Sequence, residues 1–268
     1  MISIELISKG EPVLLNTLDS IFGQDYDDFE VVCVDSSNNV DIWDYSKEHN
    51  VKLVKVPIGT RALRARYEAH AHSIGELSLL LDSTRPLKAN VLKELAEKFH
   101  KFDMTIIKED SIGHGFWVSQ SAKIKEISEK QAIKPGRLTP AFLLPRLYKS
   151  AILTDAFHDI KGHTEALFDQ ISYGEHQLIF EYCRKYATDL GMTQRSLLSH
   201  YEDASLTKII KKYHWYGKSQ KTLDHLKNAD ASRLISHIRR NVSFSDRIST
   251  LPITIARSVP FLFGYFLF

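Results

Sequence analysis

Three carboxylates fall where chemistry is commonly done. FEVVCVD (29–35) and LSLLLD (77–82) are near-continuous apolar runs, and each ends on an aspartate, Asp35 and Asp82. Runs of that kind are strands buried on both faces. Ligands of open α/β sheets bind outside the carboxyl ends of such strands, so the two acids belong at one cleft. Two residues after Asp82 stands Thr84. A second acid there would give a divalent cation a pair of hard oxygen ligands. With threonine instead, Asp82 reads either as half of a metal site or as a strand-ending cap. The third acid, Glu175, opens GEHQLIFEYCRKYA (174–187). Leu178, Ile179, Tyr182, Cys183 and Tyr186 form one apolar stripe at helical spacing, and Glu175 lies on the same side, in the first turn. The positive helix end there favours an ionised carboxylate, the form a general base needs. First-turn acids are also common with no such duty.

To share a cleft, Asp35 and Asp82 must ride on strands of one sheet. The chain alternates accordingly. Strands are expected at 2–8, 29–35, 51–56, 77–82 and 103–109. Helices are expected from Pro12 to Phe22, near Trp43, over 61–73 and over 89–100. This alternation predicts an α/β domain with a mostly parallel central sheet and flanking helices. Residues 110–140 carry Gly113, Gly115, Pro135, Gly136 and Pro140 and read as loop-rich acceptor or lid structure around one helix-like piece. An apolar run broken by proline resumes over 141–149.

The 268 residues and the formal charge of +2 fit one large domain with an extension, and no nucleic-acid partner is expected. Two cysteines far apart, Cys33 and Cys183, argue against a disulfide framework and for a reducing, cytoplasmic setting. The start, MISIELISKG, has no signal-peptide pattern. From Lys208 to Arg257 the chain is basic, and it ends SVPFLFGYFLF, apolar and aromatic but shorter than the roughly 20 residues a bilayer span needs. A basic helical stretch with such an end suits peripheral contact with an anionic membrane on its inner face; a solvated helix with a packed tail fits equally well. The expected division is an α/β domain over 1–204 and a basic helical extension over 205–268. There is no glycine-rich phosphate loop and no paired-cysteine zinc spacing. His70 and His72 fall on different faces of one helix, and His100, His114 and His163 read as surface residues.

Taken in order, the pieces resemble family 2 glycosyltransferases, which have the GT-A fold. ISIELISKGEPVLLNTLDSIFGQDYDDFEVVCVDSSNNVD is similar to the family's opening, through Ser20, Gln24, Tyr26, Glu30, Asp35, Ser37 and Asp41. TRALRARYEAHAHSIGELSLLLDST resembles its Ala-Arg-Asn helix, its Ala-x-Gly-Glu turn and its strand ending in Asp-x-Asp, with Arg66, Gly75, Glu76 and Asp82 matching and Tyr67 in the asparagine's place. GEHQLIFEYCRKYA resembles its Glu-Asp helix, and LLSHYEDASLTKIIKKYHWYGKS its histidine segment and following basic helix. The resemblance runs over residues 1 to about 220.

The resemblance implies an inverting glycosyltransferase of hexosyl type, moving one sugar from a UDP- or GDP-sugar to a hydroxyl of a saccharide or lipid-linked acceptor. It implies that Asp35, Ser36 and Ser37 hold the nucleotide base, and that Arg66, Asp82 and Thr84 lie at the diphosphate. It also implies that a divalent cation, Mn or Mg, sits on Asp82 with His200. Glu175 matches the glutamate of the Glu-Asp pair and is the expected base; His176 replaces the aspartate and is the other candidate. The Gln-x-x-Arg-Trp motif of processive polymerases is absent, which points to single transfer. A GT-A-like protein that binds nucleotide or saccharide without catalysis is the competing expectation, and a nucleotidyltransferase fits less well.

Overall fold

A computed structural model describes residues 1–134, 137–138, 143–226 and 243–267. The chain forms two compact units. The first comprises 1–109, 145–169 and 175–200; the second comprises 110–144, 170–174 and 201–268.

The first unit begins with β1 (Ile2–Ser8), α1 (Leu14–Phe22), β2 (Phe29–Asp35) and α2 (Val40–Glu48). It continues with β3 (Lys52–Lys55), α3 (Ala62–Ala71) and β4 (Leu77–Asp82). All five expected strands form, within a residue or a few at their ends. β2 shows why its sequence is apolar throughout. Val31 and Cys33 enter one core cluster with Leu14, Leu18 and Ile21 of α1, while Val32 and Val34 pack with Ala65 and Ala69 of α3 on the other face. The alanines of α3 let that helix lie close to the sheet.

The helix expected over 89–100 is a short α4 (Val91–Glu94) that widens into a π-helical stretch, Leu95–Phe99. Then come β5 (Met104–Ile112), α5 (Phe116–Ala132) and two short paired strands, β6 (Ile133–Lys134) and β7 (Arg137–Leu138). β8 (Leu147–Lys149) leads directly into α6 (Ser150–Phe168), followed by α7 (Glu175–Cys183) and β9 (Leu190–Tyr201). The sheet order is β3-β2-β1-β4-β8-β5-β9. The first four strands are parallel, and β8 runs antiparallel to both β4 and β5. Pro145, just before β8, ends the apolar run that read as broken in sequence.

Two sequence expectations change here. Residues 110–140 are mainly the 17-residue α5 rather than loop, and Pro135, Gly136 and Pro140 lie outside the described residues. In the 174–187 segment the helix stops at Cys183, so Tyr186 leaves the apolar stripe and is 41% exposed, with its hydroxyl on Asp159. His100 and His114 are exposed as expected; the side chain of His163 is outside the described set.

The second unit holds α5, α8 (Leu206–Leu226), α9 (Phe244–Ser249) and α10 (Leu251–Phe266). The basic residues expected between Lys227 and Arg240 lie outside the described residues. α8 and α10 run side by side in the same direction: Ile209 packs with Ile253 and Ala256 near their starts, Arg257 lies over Tyr213, and the Tyr265 hydroxyl donates to Asp224 near their ends. Their backbones touch at Gly217 against Phe261 and at Gly264 against His214, where any side chain would collide with a carbonyl. Ile209, Ile253 and Ala256 form the small core of this unit, with Trp117, Ile124 and Tyr213 packed against it. Among the described residues, no helix is long and apolar enough to cross a membrane.

Candidate active site

The parallel pairing decides where the two aspartates go. Ser8 of β1 pairs with Asp35 of β2, and Ile7 of β1 pairs with Asp82 of β4. The acids therefore flank the carboxyl end of β1, two strand spacings or about 10 Å apart.

Asp35 is buried and held by neutral donors. Ser37 Oγ donates to both carboxylate oxygens, at 2.8 and 3.1 Å, and Trp43 Nε1 donates to Oδ2 at 3.2 Å. Ser36 Oγ donates to the carbonyl of Ser8. Gly10, at φ +83°, lies so close to Ser37 that a Cβ would sit 2.8 Å from its side chain. Lys55 Nζ sits 3.2 Å over the Trp43 ring. Asp35 and Ser37 are thus bonded to each other at the end of β2, while the Ser36 side chain is bonded back to β1.

Asp82 is surrounded differently. Arg66 Nη2 pairs with Oδ1, while Arg85 Nη1 pairs with Oδ2 and Arg146 Nη1 lies 3.5 Å from the same oxygen. Arg66 reaches this place because Ala62, Leu63, Ala65, Arg66 and Ala69 form the buried face of α3. Its other terminal nitrogen donates to the carbonyls of Leu81 at 2.5 Å and Glu5 at 3.4 Å. The side chain is fully buried, so it is a fixed part of the sheet end rather than an open diphosphate ligand. Arg85 also donates to Glu109 Oε2 at 2.8 Å, and Arg146 Nε is 4.0 Å from that oxygen. Burial pushes the Asp82 carboxyl up, but Arg85, Arg66 and Arg146 overcome it and hold it well below the usual carboxylate range. Arg146, buried and beside Arg85, is lowered to about 10 and stays charged.

α7 adds Glu175 and His176, both largely buried, with Glu175 Oε1 3.9 Å from His176 Nε2. Burial raises the Glu175 carboxyl, and Asp82 raises it further against the opposing pull of Arg66. This corrects the expectation from the helix end alone: desolvation outweighs the favourable terminus. His176 is pushed well below its ordinary value, first by burial and then by Arg66 and Arg146, and is neutral. Its Nε2 lies 3.0 Å from Arg66 Nη2, which can only donate. Nε2 therefore accepts, the ring proton is on Nδ1, and that buried atom has no partner among the described residues. His200, near the end of β9, has Nδ1 3.8 Å from Glu109 Oε1.

The loop after Asp82 is clamped from α1. Ser20 Oγ accepts from Leu87 N at 2.9 Å, Gln24 Oε1 accepts from Val91 N at 2.7 Å, and Gln24 Nε2 donates to the carbonyl of Lys88 at 2.8 Å. The Ser20 and Gln24 of the sequence pattern therefore fix the segment carrying Thr84 and Arg85. Similarly, Glu30 accepts from Ser3 Oγ and Ile74 N, and Gly75 N donates to Ser3 Oγ, where a Cβ would be 2.5 Å from that oxygen. Three charged members of the site, Arg85, Glu109 and Arg146, were missed in the sequence. Only Arg85 had a signal, its place next to Thr84.

As built, this donor set does not fit a resident divalent cation. Both Asp82 oxygens carry guanidinium partners, Thr84 supplies no charge, and three arginines would repel an added cation. Among the described residues, no three His, Cys, Asp or Glu side chains group as a metal site.

A family model for glycosyl transferase family 2 matches residues 6–143. The chain belongs to this family, as its ordered motifs led one to expect. No curated protein matches it significantly. Among solved structures, S. aureus TarS 1-349 superposes with a TM-score of 0.60 at 15% identity, over 98% of this chain and 80% of that one. Its complex with UDP gives 0.62 at 17% identity, over 96% and 72%. The mannosyltransferase PcManGT from Pyrobaculum calidifontis, in complex with GDP-Man and Mn2+, gives 0.51 at 16%, over 95% and 73%. At these identities the likeness establishes the shared GT-A fold.

Proposed function

We propose that this family 2 glycosyltransferase moves one hexose from a UDP- or GDP-sugar to a hydroxyl of a saccharide or lipid-linked acceptor, with inversion. The carrying observation is Glu175, a carboxylate whose pKa is raised, on the first turn of α7 beside the His176–Arg66–Asp82 chain. The acceptor oxygen attacks the anomeric carbon as its proton passes to Glu175. The bond from that carbon to the diphosphate oxygen breaks, and the electron pair leaves with the nucleoside diphosphate. A single displacement of this kind inverts the anomeric centre. His176 is the poorer base, since its Nε2 lone pair is engaged by Arg66; its role is to position. Asp35, Ser36 and Ser37 at the end of β2 would supply acceptor oxygens to the N–H groups of a nucleotide base.

The acceptor's setting is read from the second unit. On α10, Leu251, Ile255, Val259, Leu262 and Phe266 are 45% to 71% exposed, in a stripe opposite the face packed on α8. Ile209 of α8 packs with Ile253 and Ala256 of α10, so the start of this stripe lies near the first turns of α8, where Ile210, Lys208 and Lys211 are exposed. Apolar side chains next to lysines suit the headgroup boundary of an anionic bilayer. This supports peripheral attachment at a cytoplasmic membrane face.

The test is release of UDP or GDP from a panel of nucleotide sugars with saccharide and lipid-linked acceptors, with the product anomer read by NMR. Glu175→Gln should lower kcat by about 100-fold or more with little change in donor binding. Donor binding without turnover on any acceptor would move the protein to the non-catalytic reading. Retention at the anomeric carbon would rule out the single displacement.

A further inference from the structure

We infer that Arg85 and Arg146 hold the donor's diphosphate directly, in the role a divalent cation would otherwise have, and that Asp82 keeps their place until the donor arrives. The inference rests on the nucleotide-sugar reading above.

The two guanidinium groups share their carboxylate oxygens. Both meet Asp82 Oδ2, and both face Glu109 Oε2, at 2.8 Å from Arg85 and 4.0 Å from Arg146. Two cations are thus bracketed by two anionic oxygens, which is the charge pattern a diphosphate presents. Arg66 does not belong to this exchangeable pair. It is fully buried, tied to the carbonyls of Leu81 and Glu5, and it retains Asp82 Oδ1 whatever happens at Oδ2. Arg85 and Arg146 keep 14% and 12% of their side-chain surface, and Asp82 keeps 25%. Unlike Arg66 on Oδ1, these three side chains keep some contact with solvent.

An incoming diphosphate carries more charge than the single carboxylate oxygen it displaces. Arginine's planar fork matches phosphate oxygens in pairs. Neutralisation by fixed guanidinium groups stabilises the leaving diphosphate as the glycosidic bond breaks, in the manner of other preorganised cations. The loop that carries Arg85 is pinned by Ser20 and Gln24, so the fork is held in place before the donor binds.

The experiment is calorimetric titration of the full chain with UDP and GDP, in manganese, in magnesium and in EDTA, on wild type, Arg85→Gln, Arg146→Gln, Arg85→Lys and Asp82→Asn. The fold of each is checked by circular dichroism. The expected result is an affinity that changes less than about twofold on chelation, a loss of about ten- to hundredfold in each glutamine variant and a smaller loss in the lysine variant. Asp82→Asn should bind as tightly as wild type or more tightly, because it releases the guanidinium pair. Binding abolished by EDTA and by Asp82→Asn would overturn the inference and restore Asp82 as a metal ligand. The chelation arm needs no variant, so misfolding cannot blur it. If neither nucleotide binds wild type in any of the three solutions, the donor-site reading itself fails, and this inference with it.

Discussion

The ends of β2 and β4 look alike in sequence and differ in the folded chain. Both are apolar runs that finish on aspartate beside β1. Asp35 is served by a hydroxyl and an indole, Ser37 and Trp43, both uncharged. Asp82 is served by three arginines contributed by α3, the loop after β4 and the approach to β8. Among the described residues Asp35 has no ion-pair partner, and its oxygens accept from neutral donors, a setting that suits the base-binding role proposed above. At Asp82 the surrounding charge exceeds that of the carboxylate, which suits capture of an anion. A strand-ending acid is thus only a position; its neighbours decide what it can do.

The sharpest way to break this contrast is Arg66→Met. It removes a fully buried cation whose partners are Asp82, His176 and two backbone carbonyls. Breaking a buried pair from one side leaves uncompensated groups and costs about 3–5 kcal/mol. Urea unfolding followed by circular dichroism should show that loss. A loss below about 1 kcal/mol would mean that Arg66 is not the fixed element of the cluster. The counterpart at the other strand end is Trp43→Phe, which removes one neutral donor to Asp35 and keeps Ser37. Its expected cost is smaller, about 1–2 kcal/mol. Equal losses from the two variants would erase the distinction between a neutral and a cationic setting.

Most of the framework that makes these settings was legible. The apolar runs located the first four strands, and alternation along the chain ordered them, because parallel buried strands carry few polar residues. The Ser20, Gln24, Glu30 and Gly75 pattern was legible as a motif, and its physical meaning is the clamping of two turns. The charged cluster was not legible. Glu109 and Arg146 lie far from Asp82 in sequence and are brought to it by β5 and by the antiparallel entry of β8. Arg66 was recognised from its motif, yet its burial depends on the alanines around it on α3. The fate of Glu175 turned on a balance, helix terminus against desolvation, that only the surrounding atoms can settle. α6, a 19-residue helix, also escaped the sequence reading.

The finest test separates the members of the cluster by pH. His176 and Asp82 both have folded-state values below their ordinary ones, His176 chiefly through burial and Asp82 through its arginines overcoming burial. For each, the unfolded chain binds a proton before the folded chain does. Each therefore contributes stability that is present above its unfolded pKa and lost as the pH falls through its folded one. The windows differ, since an unfolded histidine titrates near pH 6.5 and an unfolded aspartate near 3.9. His176→Asn keeps an acceptor for Arg66 and should remove only the upper limb of the loss, a change of about 1 kcal/mol or less at pH 6. Asp82→Asn should remove only the limb that begins below about pH 5. Stability curves from pH 4 to 8 measure the first, and their extension toward pH 2.5 measures the second. If His176→Asn leaves the upper limb in place, the ring is not held neutral against Arg66. The lone pair that excludes it from base duty would then be free, and the assignment of the base would pass from Glu175 to His176.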